Sequence, residues 1–296
     1  MVLALKPQIR RVKMSDLVVY GNDFNFMPLP KLTENEMNFF MAIITELREN
    51  RELEFDFMDF AYDLHLKSNL SAMELENTFY KLAEKMLNFK VKYKTKNKAY
   101  AFVCFERLCL DFGTNNIEIT AQKDFFDLIN NLQLGFTQFE LTEFIGIKGK
   151  YAKNLYRILK QFRSTGKVLI YQNDWQGFCE VMQIPTSYKM GSIDERILRP
   201  AIKELSSEPT LFDNKSTIFK NLTYKKIKDK KRCVGQGGQV VGIEFYFKAE
   251  NDNTITAETQ TQEPKEKPKK IAVTETIYFE TEQEKREYLA NRKRNA

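Results

Sequence analysis

Residues 188–207, with the sequence YKMGSIDERILRPAIKELSS, have the pattern of an amphipathic helix that contains a proline. At helical spacing one face collects the apolar side chains Ile193, Ile197, Leu198, Ala201, Ile202 and Leu205. The opposite face carries Ser192, Arg196, Arg199 and Lys203. Pro200 lacks the backbone N–H that a helix interior uses, at a cost of about 3 kcal/mol. The pattern therefore predicts a helix that either bends at Pro200 or begins a second segment there.

The cationic face of this helix favours an interpretation as a DNA-binding surface. The outer face of an ordinary surface helix is also charged, but it usually mixes signs. Here Asp194 and Glu204 are placed away from the stripe, and Glu195 alone borders it. Arginine can contact guanine through two hydrogen bonds, while lysine and serine can hold phosphates.

Two further basic elements lie in the same half of the chain. On the predicted helix 148–163, the lysines and arginines share the side opposite its apolar residues, and residues 225–232 hold six Lys/Arg ahead of a glycine-rich loop. Together these elements predict a major-groove helix flanked by phosphate contacts. The candidate DNA-binding residues of this half are Lys150, Lys153, Arg157, Lys189, Ser192, Arg196, Arg199, Lys203, Lys225, Lys226, Lys228, Lys230, Lys231 and Arg232.

Charge is distributed unevenly along the 296 residues. Residues 15–147 carry 13 Lys/Arg and 21 Asp/Glu, a net charge of −8, whereas residues 148–248 carry 20 and 9, a net charge of +11. An acidic block beside a strongly basic block indicates that one half is specialised for a polyanion. A basic surface with no bound partner is the alternative that charge alone leaves open.

The order of predicted elements is that of a winged helix, and it occurs twice. In the first block a helix begins after a Thr33–Glu36 capping box, a second covers residues 55–66, and a third begins after Ser71. Alternating segments over residues 89–121, broken by turn residues, then predict hairpins. The basic block repeats three helices and a hairpin, so we expect an α+β fold of two tandem winged-helix domains.

We divide the chain into four parts on this basis. Residues 1–14 form a basic N-terminal arm, and residues 15–135 form the first winged-helix domain. Residues 136–249 form the second domain, which we expect to bind most of the DNA. Residues 250–296 are a polar tail whose composition predicts disorder, with a frayed helix at its end.

The composition argues against several other classes of protein. No run of 18 apolar residues occurs and the N-terminus has no secretory signal pattern, so we expect a cytoplasmic protein with no membrane contact. The four cysteines form no C-x-x-C pair, which predicts neither a disulfide framework nor a zinc site. His65 is the only histidine, so the sequence has no pair of histidines to hold a metal. We expect no catalytic residues and no cofactor.

The sequence resembles the iteron-binding plasmid replication initiators, the tandem winged-helix Rep proteins of theta-type replication. The resemblance rests on KYAKNLYRILKQFRSTG, ERILRPAIKELS and GIEFYF in that order, and on PLPKLTENEMNFFMAIITEL near the start. It covers roughly residues 15–248. Its most specific parts are Leu155-Tyr156 and the run from Arg199 to Glu204.

The resemblance implies a function and a set of partners. Family members bind repeated double-stranded sites, the iterons, at the origin, and the proline-containing segment lies in the major groove. Monomers open the origin and recruit the host replication initiator and the replicative helicase. Dimers join through the first domain and repress their own promoter, which contributes to plasmid copy control. In the first domain we expect Lys81 and Lys85 to contact the DNA backbone.

Two alternative functions remain open at the level of the sequence. A winged-helix transcriptional repressor would share the same DNA-binding elements without a role in replication. A DNA-nicking initiator enzyme could use one of the 13 tyrosines, but the paired-histidine metal site of such enzymes cannot be built from His65 alone.

Overall fold

Two units of helices and β-hairpins follow one another along the chain, as the computed structural model shows. The residues that the structure describes are 15–63, 72–94, 99–171, 174–208, 217–229 and 239–250. Several predictions lie outside these ranges: the N-terminal arm, the cap at Ser71, His65, the loop residues Lys230, Lys231 and Arg232, and the tail beyond residue 250.

The first unit places its helices beside three small sheets. Its elements are β1 (Leu17–Gly21), a 3-10 turn (Asn22–Phe26), α1 (Glu34–Glu46), β2 (Glu52–Asp56), α2 (Phe57–Asp63), α3 (Ala72–Leu87), β3 (Lys90–Lys94), β4 (Ala99–Val103), β5 (Phe105–Asp111), β6 (Asn116–Ala121) and α4 (Lys123–Asn130). Strands β2, β6 and β5 form one antiparallel sheet in that order, and β3 pairs with β4. The predicted second helix starts later than expected, because Phe55 and Asp56 end β2.

The second unit has the predicted order of helices and wing. Its elements are β7 (Phe136–Glu140), α5 (Leu141–Ile145), α6 (Lys150–Gln161), β8 (Lys167–Ile170), α7 (Trp175–Val181), α8 (Met190–Ile193), a π-helical turn (Asp194–Leu198), α9 (Arg199–Ser206), β9 (Thr223–Asp229) and β10 (Gln239–Tyr246). Strand β10 lies between β8 and β9, and both pairings are antiparallel. Strands β9 and β10 are the two sides of the wing.

A two-stranded sheet joins the two predicted domains. Strand β1 opens the first and β7 opens the second, and they pair antiparallel from Leu17–Glu140 to Gly21–Phe136. The predicted boundary between residues 135 and 136 therefore lies at the start of a strand that completes a sheet with the first domain. One continuous cluster of buried hydrophobic side chains also extends through both units.

Aromatic side chains form the centre of the first unit. The ring of Phe40 in α1 lies 5.9 Å from that of Phe89 and 6.2 Å from that of Phe105, measured between centroids. Phe125 of α4 lies 5.4 Å from Phe105. These rings are almost fully buried, and their edge-to-face and tilted packing is favourable for aromatic pairs.

The capping box predicted for α1 is confirmed. The Glu36 backbone N–H donates to the Thr33 hydroxyl at 3.4 Å, and the Thr33 N–H donates to the Glu36 carboxylate at 2.6 Å. The same carboxylate accepts from Lys85 Nζ at 2.6 and 2.7 Å. Burial alone would raise the pKa of Glu36, but the bonds from Lys85 and Thr33 outweigh it and lower that pKa.

Three of the four cysteines lie among the described residues. Cys104, Cys109 and Cys179 are free thiols, and burial raises the pKa of the Cys104 and Cys179 thiols. No helix among the described residues is both long enough and apolar enough to cross a membrane.

Removing the cap should weaken the first unit by a small, measurable amount. We expect Thr33→Ala to lower the free energy of unfolding by about 0.5–2 kcal/mol, because one helix N–H loses its acceptor. The exposed loop residue Thr186 provides the matched control, and Thr186→Ala should leave stability within about 0.5 kcal/mol of the parent. Urea denaturation measures both variants, and equal losses would contradict the role of Thr33.

Candidate nucleic-acid interface

Residues 190–206 form one helical segment that changes its hydrogen-bond pattern in the middle. The backbone stays helical at both junctions, with φ/ψ of −61°/−45° at Ile193 and −70°/−49° at Leu198. Between them the Arg199 N–H donates to the Asp194 carbonyl, five residues back instead of four. Pro200 then lies in the first turn of α9, where a missing N–H is tolerated. The helix therefore continues through Pro200 with a π-helical turn before it, and α9 begins at Arg199, one residue ahead of the proline.

The two faces of the 190–206 helix are those that the sequence predicted. The side chains of Ile193, Ile197, Leu198, Ala201 and Leu205 are buried, and Ile202 is half-buried. On the outer face Arg196, Arg199 and Lys203 are exposed, and Ser192 is half-buried. The Arg199 side chain is 70% exposed although it makes an ion pair, so most of its surface is open to a partner.

An aromatic ring supports Arg196 on this face. Its guanidinium carbon lies 5.6 Å from the centroid of the Tyr188 ring. The hydrogen bond to the Tyr188 oxygen raises the pKa of Arg196, which therefore keeps its charge at every physiological pH. The segment thus presents a cation whose position is restricted by its neighbour.

Asp194 connects the 190–206 helix to strand β9. Its carboxylate accepts a hydrogen bond from the Tyr224 hydroxyl and forms ion pairs with Lys226 Nζ at 3.0 Å and with Arg199 Nη2 at 3.3 Å. Burial alone would raise the pKa of Asp194, but the hydrogen bonds from Tyr224 and Lys226 outweigh it and hold that pKa below its ordinary value. Asp194 is therefore a carboxylate, about 7% exposed, beneath a surface of cations.

The side of the wing formed by β9 adds a second group of cations. Lys225 and Lys228 are exposed, and Lys226 is partly buried because it reaches Asp194. Across the sheet, Glu244 of β10 forms an ion pair with Lys167 of β8. Hydrogen bonding to Lys167 lowers the pKa of Glu244 in spite of its partial burial. The described part of the wing therefore leaves lysines free to meet an anion mainly along β9.

The prediction for the basic side of α6 was wrong at two residues. Lys153 is fully buried, and its ammonium donates to Asn38 Oδ1 at 2.8 Å and to the Phe144 carbonyl at 2.5 Å. Arg157 is fully buried as well, donates to the Phe24 carbonyl at 2.7 Å and lies 4.7 Å from the centre of the Phe24 ring. Neither side chain has surface from which to reach a phosphate, so both leave the candidate interface.

The cause of the error is that α6 is covered on both faces. Tyr156 on one side packs against Phe139 and Phe219, while the charged side meets the 3-10 turn and α1 of the first unit. Lys160 is also only 7% exposed, and its Nζ forms an ion pair with Glu143 Oε1 at 3.1 Å. A periodic pattern of lysines cannot distinguish solvent from a neighbouring unit that supplies carbonyl and amide oxygens.

The remaining lysines that we predicted to contact DNA differ in how far they are exposed. Lys189 and Lys81 are exposed, and Lys150 is half-buried with its ammonium 5.0 Å from the Tyr151 ring centroid. Lys85 is about one-third exposed and is held by Glu36, which reduces its availability for a phosphate. The predicted second-domain surface thus comes together on the 190–206 helix and β9, while Lys81 lies on the other unit.

Comparisons with known proteins agree with this architecture. The family model described as "Initiator Replication protein, WH1" matches residues 17–160, and the model described as "Initiator Rep protein, WH2" matches residues 174–247. The chain belongs to this initiator replication protein family. Its fold is accordingly two tandem winged-helix domains, and the family models leave α6 with the first of them.

Two individual relatives are informative about this family. A protein of Bifidobacterium longum (strain NCC 2705) named "Probable replication protein rep" is 29% identical over 194 residues, which are 64% of this chain and 64% of that protein. The chain therefore matches somewhat less than two thirds of that relative. The crystal structure of Pi initiator protein in complex with iteron DNA has 13% identity and a TM-score of 0.55, covering 81% of this chain and all of that one. At this identity the second likeness shows the fold alone.

Three side chains of the candidate interface have no clear signal in a regular helical pattern. A wheel drawn at uniform helical spacing puts Asp194 away from the cationic stripe, because it takes no account of a π-helical turn. Tyr188 and Tyr224 carry no charge, so a search for cations passes over them. Pro200 was the available signal for the turn, and Tyr224 lies two residues before Lys226 on a strand, which places both on the same side. In the described ranges, no group of three or more His, Cys, Asp or Glu could hold a metal ion.

The structure predicts that Lys153 serves folding. Lys153→Ala should lower the free energy of unfolding by about 2–4 kcal/mol, because it leaves a cavity and removes the donor from two buried oxygens. Lys203→Ala makes the same chemical change on an exposed face and should shift stability by less than about 0.5 kcal/mol. Thermal and urea unfolding of the two variants measure the difference, and similar losses would show that Lys153 is not packed as described.

Proposed function

We propose that this chain is a plasmid replication initiator that binds iterons, starts theta-type replication and catalyses no reaction itself. The observation that carries the proposal is the outer face of the 190–206 helix, where Arg196, Arg199 and Lys203 are exposed beside the lysines of β9. The family membership supplies the context, since its models describe initiator replication proteins. The Pi initiator, whose fold is similar, was crystallised in complex with iteron DNA.

In the proposed complex the 190–206 helix enters the major groove. Arg196 and Arg199 contact base edges, because arginine can bind the O6 and N7 atoms of guanine with two hydrogen bonds. Lys203, Lys189 and Ser192 lie close enough along the helix to contact phosphates or bases. Lysines of β9 hold the flanking phosphates, and sequence-independent contacts of this kind supply much of the affinity.

The first domain takes a smaller part in DNA binding in this proposal. Its net charge of −8 over residues 15–147 favours contact with proteins over broad contact with a polyanion. Lys81 is the exposed candidate for a backbone contact, whereas Lys85 is engaged by Glu36. We assign to this domain the homodimer, in equilibrium with the monomer, and contacts with the host initiator and the replicative helicase. The dimer would repress the chain's own promoter and so limit copy number, in the bacterial cytoplasm.

A transcriptional repressor without a replication role is the second candidate. The same helix and wing support it, because both functions need a sequence-specific winged helix. The pattern of binding sites distinguishes the two. A DNA-nicking enzyme is tested separately by incubating origin DNA with the protein and a divalent metal, and specific cleavage would overturn our proposal.

Footprinting on the DNA that flanks the gene tests the proposed function. The experiment uses the full chain at several concentrations and two salt concentrations. Protection of several direct repeats, each about two helical turns long, is the expected result if both domains bind each iteron. Protection of one inverted repeat over the promoter, and of nothing else, would favour the repressor.

Alanine substitutions should identify the base-reading residues. We expect Arg196→Ala and Arg199→Ala each to weaken specific binding by about 1–3 kcal/mol and to relax the preference at one base position. Competition with unrelated duplex DNA measures the loss of preference. Equal weakening on specific and unrelated duplexes would place these arginines on phosphates.

Neutralising lysines of the wing should affect DNA binding differently from the arginine substitutions in the helix. Lys225→Gln and Lys228→Gln should each reduce the salt dependence of binding by about one phosphate contact, with little change in sequence preference. Lys123→Gln, an exposed lysine on α4 of the first unit, provides the control of equal charge. The slope of log affinity against log salt is the measurement. If the wing variants changed the base preference as the helix variants do, the assignment of base reading to the helix would be wrong.

A further inference from the structure

A buried carboxylate lies under the most basic surface of the described chain. Asp194 sits in the π-helical turn, and three donors from two elements converge on it: Tyr224 on Oδ1, and Lys226 and Arg199 on Oδ2 at 3.0 and 3.3 Å. A carboxylate near a DNA surface repels phosphates, so its charge works against overall affinity. Its presence here calls for a role other than attraction to DNA.

The π-helical turn is what brings Asp194 to Arg199. Because the Arg199 N–H bonds to the Asp194 carbonyl, these two residues sit one above the other on adjacent turns. Their side chains then leave the helix on the same side, and the carboxylate reaches the guanidinium. In an uninterrupted α-helix, residues five apart are not neighbours in this way. The tether therefore depends on the proline-associated turn.

The tether fixes one end of an otherwise exposed arginine. Arg199 is 70% exposed, yet its Nη2 forms an ion pair with Asp194 at 3.3 Å, and Tyr224, which donates to the same carboxylate, raises the pKa of its guanidinium. A guanidinium is planar, so holding one nitrogen restricts the direction of its remaining donors. Two parallel donors in a fixed orientation are what a guanine edge requires, whereas a phosphate accepts a donor from many directions.

The same carboxylate fixes the wing to the helix. Lys226 and Tyr224 both belong to β9, so Asp194 bonds the two elements that would contact DNA together. Tyr224 is itself packed near Phe245, with ring centroids 6.3 Å apart. This ring pair packs under the contacts to Asp194. These contacts hold Arg199 in a set position relative to the wing.

We propose that Asp194 is a positioning residue for sequence specificity, which orients Arg199 toward a guanine edge in register with the wing. This inference rests on the proposed DNA-binding function. It assigns to Asp194 a role in choosing among sequences, and none in the strength of nonspecific binding. The substitution that tests it is Asp194→Asn, which keeps the size of the side chain and removes its charge.

The experiment begins by selecting preferred duplexes from a random library with the full-length parent chain. The dissociation constants of the parent and the variants are then measured for a selected duplex and for an unselected one. The specificity ratio is the second constant divided by the first. For Asp194→Asn we expect this ratio to fall about tenfold, through weaker binding of the selected duplex. Binding of the unselected duplex should stay equal or become tighter, because one negative charge is gone.

Glu195→Gln is the matched control for charge. Glu195 is an exposed neighbour on the same helix, and its neutralisation removes the same unit of negative charge. We expect it to leave the specificity ratio within about twofold of the parent. A double substitution completes the test: in a chain that already carries Arg199→Ala, Asp194→Asn should produce no further fall in the ratio.

Two results would overturn the inference. One is an equal change of the specificity ratio in Asp194→Asn and Glu195→Gln, which would show that Asp194 acts only through its negative charge. The other is a parallel loss on both duplexes with a lower melting temperature, which would make Asp194 a purely structural bond. If Asp194→Asn does not fold, Tyr224→Phe replaces it, since it keeps the carboxylate and removes one anchoring bond. An unchanged ratio in that variant would also overturn the inference.

The selection separates this inference from the proposed function. If the parent chain enriches no sequence, the proposed function fails and the inference fails with it. If the parent enriches a sequence and Asp194→Asn keeps the same base profile, the inference alone is wrong. We expect Arg199→Ala and Asp194→Asn to lose preference at the same base position.

Discussion

The burial of two cations on consecutive turns of α6 is the constraint on which the arrangement of the two units depends. An ammonium or a guanidinium inside a protein is unfavourable unless its donors are satisfied. Lys153 meets that requirement by donating to the amide oxygen of Asn38 in the first unit. Arg157 meets it in part, because its Nη2 donates to the Phe24 carbonyl while its buried Nε and Nη1 have no hydrogen-bond partner among the described residues. Tyr20 adds an oxygen beside Arg157, and its own pKa is raised to about 12 because burial outweighs the nearby charge. The orientation of α6 is therefore determined by the first unit, although its other side carries the second.

The candidate interface is built outward from that helix. The opposite side of α6 packs against α9 and against Phe219, which immediately precedes the wing. The apolar face of the 190–206 helix packs inward on this side, and its cations remain exposed. Asp194 then ties the helix to β9. The position of the arginines relative to the wing thus follows from packing below them and from one buried carboxylate beside them.

Much of the fold could be predicted from the sequence, and the exceptions have physical causes. The capping box at Thr33, the hairpins, the apolar face from Ile193 to Leu205 and the order of the winged helices all arise from local patterns, and the structure confirms them. Lys153 and Arg157 were predicted wrongly because periodicity reports which side of a helix is polar, but not what covers that side. The role of Asp194 could not be predicted because a π-helical turn changes which residues are neighbours. Contacts between distant segments, such as β1 with β7, leave no local pattern at all.

The π-helical turn also changes how positions in this segment correspond to those of other chains. A turn closed five residues back holds one residue more than an α-helical turn, as an insertion would. Residues from Arg199 onward are therefore displaced by one position relative to a helix that runs straight from Met190. A helix without this turn would present a different residue at the place that Arg199 occupies. Where a compared helix lacks this turn, positions 194–198 do not correspond residue by residue, and the two halves of the segment are better aligned separately.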